Sequence, residues 1–264
     1  MRNDMRRIRL AVSVAVLGTL AVAMLPSAFA GPKPPAGAGL LPDLRTVVPA
    51  HLQIVNQQQH DYLRFSNGIA NTGAGPLALR PETVGAVTNG IQEIRDANGT
   101  VVEEHLASQY EFHPAHNHWH LGDVALFEVR RGSPTGPVVG ENSKKVTFCL
   151  LDWYRLDGNS NTASREFWDC ETGYQGISPG WVDQYHHSLE GQRLDLTSAP
   201  NGVDLYLVST ANFDAAYRES NFANNTEWVR FQLSQDSSGN RKITVTGHSP
   251  CESEAMCGIG VPNR

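Results

Sequence analysis

Beyond residue 30 this 264-residue chain has no long apolar run, no extended stretch at helical period and no visible internal repeat. These absences argue against a membrane-spanning helix in that part, against an α-helical or α/β fold, and against a solenoid. Cysteine is scarce, with four in all, and neither a CxxC pair nor a Cys–His spacing of the zinc-ribbon kind occurs. Basic residues are also few. The first thirty residues carry four Arg and one Asp; removing these from 21 Lys+Arg and 27 Asp+Glu leaves 17 against 26, a formal charge of −9. Such a balance disfavours nucleic acid and anionic membranes as partners.

The one long apolar run lies at the start. MRNDMRRIR is basic, LAVSVAVLGTLAVAML follows, and PSAFA places small residues at Ala28 and Ala30. This is the pattern of a secretory signal over residues 1–30, short for a bilayer span, so we expect a secreted, extracellular chain with no membrane anchor after cleavage. Residues 31–39, GPKPPAGAG, read as a mobile Pro/Gly linker. The cysteines Cys149, Cys170, Cys251 and Cys257 would then meet an oxidising compartment. Two disulfides are expected, most economically Cys149–Cys170 and Cys251–Cys257, although the sequence permits three connectivities.

Short β-type segments punctuated by turn residues fill the remainder, among them YLRFSNGIAN, DVALFEVRR, KKVTFCLLDW, VDLYLVSTAN and TEWVRFQLS. Asn98-Gly99 reads as a hairpin turn. The fold class is mainly β: a single-domain β-sandwich over residues 40–264 with long loops and little helix. The polar, turn-rich segment 154–180 reads as a loop whose position a disulfide at Cys170 fixes.

HPAHNHWH, residues 113–120, holds four of the ten histidines. In an extended segment residues two apart share a face, so His116, His118 and His120 project together and form a three-imidazole set suited to copper or zinc. His113, three residues earlier, falls on the other face and reads as a bystander.

These residues sit within a larger ordered set: HNHWHLGDVALFEV, KVTFCL from Lys145, QGISPGWVDQY ending at Tyr185, GQRLDLT, and ESNFANN from Glu219 to Asn225, preceded by LPDL and YLRFSNGIANTG. In order and spacing the set resembles the catalytic domain of the lysyl oxidases over residues 40 to 250. The resemblance implies a copper-dependent amine oxidase that deaminates primary amines, peptidyl lysine or small amines, to aldehyde, ammonia and hydrogen peroxide with dioxygen. It implies His116, His118 and His120 as copper(II) ligands, and Lys145 with Tyr185 as the precursors of a lysyl tyrosylquinone cofactor. Asp43, the Leu44 carbonyl, Glu219, Asn221, Asn224 and Asn225 match a structural calcium site, with Asn221 standing where an acidic ligand is expected. Asp183 and Asp123 are candidate bases, and His186 and His187 candidate proton shuttles. The chain departs from animal members in carrying Ala115 for Cys, which leaves Cys149 to pair with Cys170, and Phe127 for His. The segment 82–111 is also longer than in animal members. Two other classes compete: an enzyme whose His-bound metal acts directly on water, and a secreted metal-binding β-sandwich adhesion module.

Overall fold

The computed structural model describes residues 37–114, 117–156 and 163–258, with the side chains of 140–146 also outside that description. The expected signal segment, most of the linker, and His116 fall outside it. Residues 35–264 form one compact unit. Among the described residues there is no helix.

Among the described residues fifteen strands follow one another: β1 (Leu44–Thr46), β2 (Ala50–Gln57), β3 (His60–Asn71), β4 (Leu77–Val84), β5 (Val87–Arg95), β6 (Val101–His113), β7 (His118–Arg131) and β8 (Val138–Phe148). Then come β9 (Tyr154–Arg155), β10 (Gln175–Ile177), β11 (Trp181–Tyr185), β12 (Arg193–Asp195), β13 (Leu205–Ala211), β14 (Thr226–Gln235) and β15 (Arg241–His248). They form two antiparallel sheets, as the alternating segments lead one to expect. One is built on β3, whose first half pairs with β2 and β12 and whose second half pairs with β1 and β11. The other runs β10-β4-β5-β6-β7-β13-β14-β15, with β8 also pairing with β7.

The sheets face each other across a core drawn from both, in which Leu63, Phe65 and Ile69 of β3 meet Phe127 and Val129 of β7, Leu205 and Leu207 of β13, and Phe231 of β14. Phe65 and Phe127 join the layers edge to face, their ring centroids 4.9 Å apart. Each fully buried aromatic contributes roughly 1.5–3 kcal/mol by leaving water.

The turn at Asn98-Gly99 joins β5 to β6. Gly99 has φ 82°, and the Asp96 carboxylate accepts hydrogen bonds from the Asn98 and Thr100 N–H groups. Two disulfides, Cys149–Cys170 and Cys251–Cys257, are present, the more economical of the expected pairings. The segment after β9 is largely irregular among its described residues, yet it ends in β10, a strand the sequence pattern gave no reason to expect. Asp152, fully buried, holds that segment in place. Its carboxylate accepts from the N–H groups of Glu166, Phe167 and Ser178 and from the Ser178 hydroxyl.

Candidate active site

The histidine segment is a hairpin, not one continuous strand. β6 ends at His113, Asn117 adopts φ 57° in the connecting turn, and β7 begins at His118. This corrects the expectation of three ligands on one regular strand: only His118 and His120 stand two apart on β7. It also corrects the placement of His113 on the opposite face. His113 pairs directly with His118 across the hairpin, and its ring stacks on that of His120 with centroids 5.0 Å apart. The turn resets the alternation on which the single-strand reading depended.

The Nε2 atoms of His118 and His120 lie 3.0 Å apart. Two imidazoles bound side by side to one copper or zinc ion at about 2.0–2.1 Å would hold their nitrogens at roughly this separation. His120, 8% exposed, meets the Thr147 hydroxyl through Nδ1 at 3.3 Å, which leaves Nε2 turned to its neighbour.

β8 carries this corner to the tyrosine. Thr147 contacts His120, and the next residue, Phe148, packs on Tyr185 with ring centroids 3.9 Å apart. Tyr185 is half-buried at the end of β11, and its hydroxyl donates to the Cys149 carbonyl at 2.6 Å. Residues 147–149 thus touch His120 on one side and Tyr185 on the other. Lys145 lies on β8 with its backbone paired to Leu126; its side chain is outside the described residues.

Between its pairings with Phe148 and Val146, β7 has extra residues at 122–124, where Asp123 takes φ 57°. This irregularity opens a cleft of roughly 400 Å³ lined by Ser108, Gln109, Tyr110, Glu111, Gly122, Asp123 and Thr147. Asp123 therefore borders the histidine corner. Asp183 is 2% exposed on β11, two residues before Tyr185 and on the same strand face. Gln175, which sequence reasoning passed over, ties the 163–180 segment to this corner by donating to the Trp119 carbonyl at 2.7 Å and accepting from the Leu150 N–H. No spacing rule could have flagged it, because its partners lie 25 and 56 residues away in sequence.

A second cluster gathers most of the expected calcium residues. Glu219 accepts from the Leu44 N–H and from the amides of Asn212 and Asn225; the Asn224 amide donates to Asp43. Burial, with Asp43 adding to it, pushes the Glu219 carboxyl above the usual range despite these donors. The Asn224 and Asn225 amide oxygens are buried without a hydrogen-bond partner. Asn221 is not drawn in: it is exposed, and its amide oxygen accepts from the Ala223 N–H of its own loop. Leu44 enters this network through its N–H.

His186 and His187 meet His51, with ring centroids 5.6 Å from His51 in both cases and 3.9 Å from each other.

Fold and site together define a two-sheet β-sandwich with a histidine hairpin packed, through one strand end, against a half-buried tyrosine. The sequence profile of the lysyl oxidase family matches residues 90–242, more than half of the chain. The chain belongs to the lysyl oxidase family. It is 32% identical over 117 residues to lysyl oxidase homolog 3 of Homo sapiens, covering 43% of this chain and 14% of that protein. It is 30% identical over 139 residues to lysyl oxidase homolog 2 of Rattus norvegicus, covering 52% and 16% respectively. The match therefore spans less than a fifth of the length of these relatives.

Proposed function

We propose that the chain is a secreted, copper-dependent amine oxidase that converts a primary amine, dioxygen and water to an aldehyde, ammonia and hydrogen peroxide. The observation that carries this reading is the strand end 147–149, which places His120 and Tyr185 against consecutive residues. The 3.0 Å approach of two imidazole nitrogens fits a copper ion, which His118 and His120 would hold together with His116. Copper with a quinone formed from Tyr185 and Lys145 supplies the oxidising chemistry when present.

The chain's own residues supply the rest. Thr147 fixes the orientation of the His120 ring. The Cys149 carbonyl holds the Tyr185 hydroxyl and so sets the direction of the phenol. Glu111 and Asp123 are among the residues that line the cleft, an acidic lining suited to an ammonium group arriving from solvent. Asp183, on the same strand face as Tyr185, would take a proton from a carbon held at that ring, with Asp123 as the alternative base. Peptidyl lysine and small amines both satisfy this chemistry. Asp43, Glu219, Asn224 and Asn225 would hold calcium, whose preference for oxygen matches the two unpartnered amide oxygens.

The test is to load the protein with copper under air, treat it with phenylhydrazine and map its peptides by mass spectrometry. A coloured adduct on a crosslinked peptide containing Lys145 and Tyr185 is expected, with its loss in Tyr185→Phe along with peroxide release from amines. A fully active Tyr185→Phe variant would assign the chemistry to the histidine-bound metal alone.

A further inference from the structure

Outside the hairpin, the described residues bring three more histidines together: His51, His186 and His187 each offer one ring nitrogen, and these atoms lie within 4.8 Å of one another. They come from positions 135 residues apart, so no sequence motif announces them. We propose that His51, His186 and His187 form a second transition-metal site, separate from the histidine hairpin, that takes a borderline divalent cation such as zinc(II) on three imidazoles.

Four features support this. First, His186 is 7% exposed, and its Nε2, like the Nδ1 of His187, is buried with no hydrogen-bond partner. Buried polar atoms are nearly always satisfied, so two orphans pointing into one cluster mark a place for a further atom. Second, the remaining nitrogens of two rings are anchored: His51 Nδ1 lies 2.9 Å from the Ser66 hydroxyl and His186 Nδ1 2.8 Å from that of Ser188. At His51 an Nδ1–H donated to the Ser66 hydroxyl leaves the Nε2 lone pair for an ion; at His186 the Ser188 N–H also reaches Nδ1 at 3.3 Å, and binding an ion through Nε2 would exchange that long contact for a ligand bond. Ser66 also accepts the His187 N–H at 3.0 Å, so one hydroxyl binds two of the three residues.

Third, the backbone goes to some expense to bring His51 in. The register of β2 against β3 shifts between Ala50 and Gln53, and His51 lies there at φ 54°, a conformation that costs a non-glycine residue of order 1 kcal/mol or more. Fourth, Arg64 fixes the backbone that carries His187 by donating to the carbonyls of His187 and Leu189, both at 2.6 Å. A set of three imidazole nitrogens, joined by no carboxylate among the described residues, suits zinc or copper and does not suit calcium or magnesium. Burial, with the neighbouring His186 adding to it at both rings and His51 and the Arg64 guanidinium adding at His187, holds His51 and His187 below the usual histidine range, which favours the neutral form that binds metal.

The site does not depend on the amine oxidase reading, and its test separates the two. The full-length chain, stripped of metal and kept in calcium-containing buffer, is titrated with zinc(II) alone and its bound metal counted after dialysis. Wild type is expected to hold two equivalents. The pair His118→Ala/His120→Ala should hold one, and the pair His51→Asn/His187→Gln should hold one. Asn is chosen at position 51 because it tolerates positive φ. His187→Gln alone provides a second variant should the pair fold poorly, as judged by circular dichroism. Ser66→Ala is expected to weaken the remaining site by about 10–100-fold without abolishing it. If the folded His118→Ala/His120→Ala protein holds no zinc, or if the position 51 and 187 variants keep both equivalents, the second site does not exist.

Discussion

Glu227, 7% exposed at the start of β14, shows how a single residue ties stability to pH. Burial raises its carboxyl pKa, against the pull of the Ser249 hydroxyl and Arg45. The folded state therefore holds this proton more tightly than the unfolded chain does. Its contribution is most favourable at low pH and is lost as pH rises from the ordinary Glu value through the raised one. Glu227→Gln should unfold at higher temperature than wild type at pH 8, with the gap closing towards about pH 4. Thermal melts across that range read the effect directly. At the hairpin, Thr147→Val keeps the volume but removes the hydroxyl that meets His120. Copper affinity should fall about 10–100-fold with little change in the melting temperature of the metal-free protein, as competition against a copper indicator would show.

At the scale of elements, the stretch 147–153 organises its surroundings. Its strand end touches His120 and Tyr185, Cys149 is bonded to Cys170, and Asp152 collects the N–H groups of the 163–180 segment. Removing the Cys149–Cys170 crosslink by Cys149→Ala/Cys170→Ala frees a loop of 21 residues' separation and should cost about 3 kcal/mol, read by denaturant unfolding. Because the Cys149 carbonyl also receives the Tyr185 hydroxyl, amine oxidation should drop further than stability alone explains. The strand segments themselves were legible from alternation and turn chemistry, since Asn98-Gly99 and the apolar alternation of β3, β7, β13 and β14 are local properties. β10 and β11 were not legible as strands. Gln175–Ile177 and Trp181–Tyr185 are buried on nearly every residue and follow a Gly- and Pro-bearing loop, so no alternation survives to mark them.

For the whole molecule, the contact between sheets is what brings β3 and β7 together, and Phe127 sits at its centre between Phe65 and Phe148, with ring centroids 4.9 Å and 6.4 Å away. Phe127→Ala should cost about 3–5 kcal/mol, measured by chemical denaturation. Since Phe148 in turn packs on Tyr185, the loss of Phe127 should also blunt activity under conditions where the variant remains folded.

The sequence by itself determined the mainly-β class, the histidine-rich segment, the likeness to lysyl oxidases and the four cysteines, because each rests on residue types and local spacing. Only the tertiary structure decided that the histidine strand is a hairpin with His113 beside His118, that Asn221 stays outside its cluster, and that His51 meets His186 and His187. Those outcomes depend on turns that reset alternation and on strands distant in sequence meeting across a sheet. Chain order does not encode them locally.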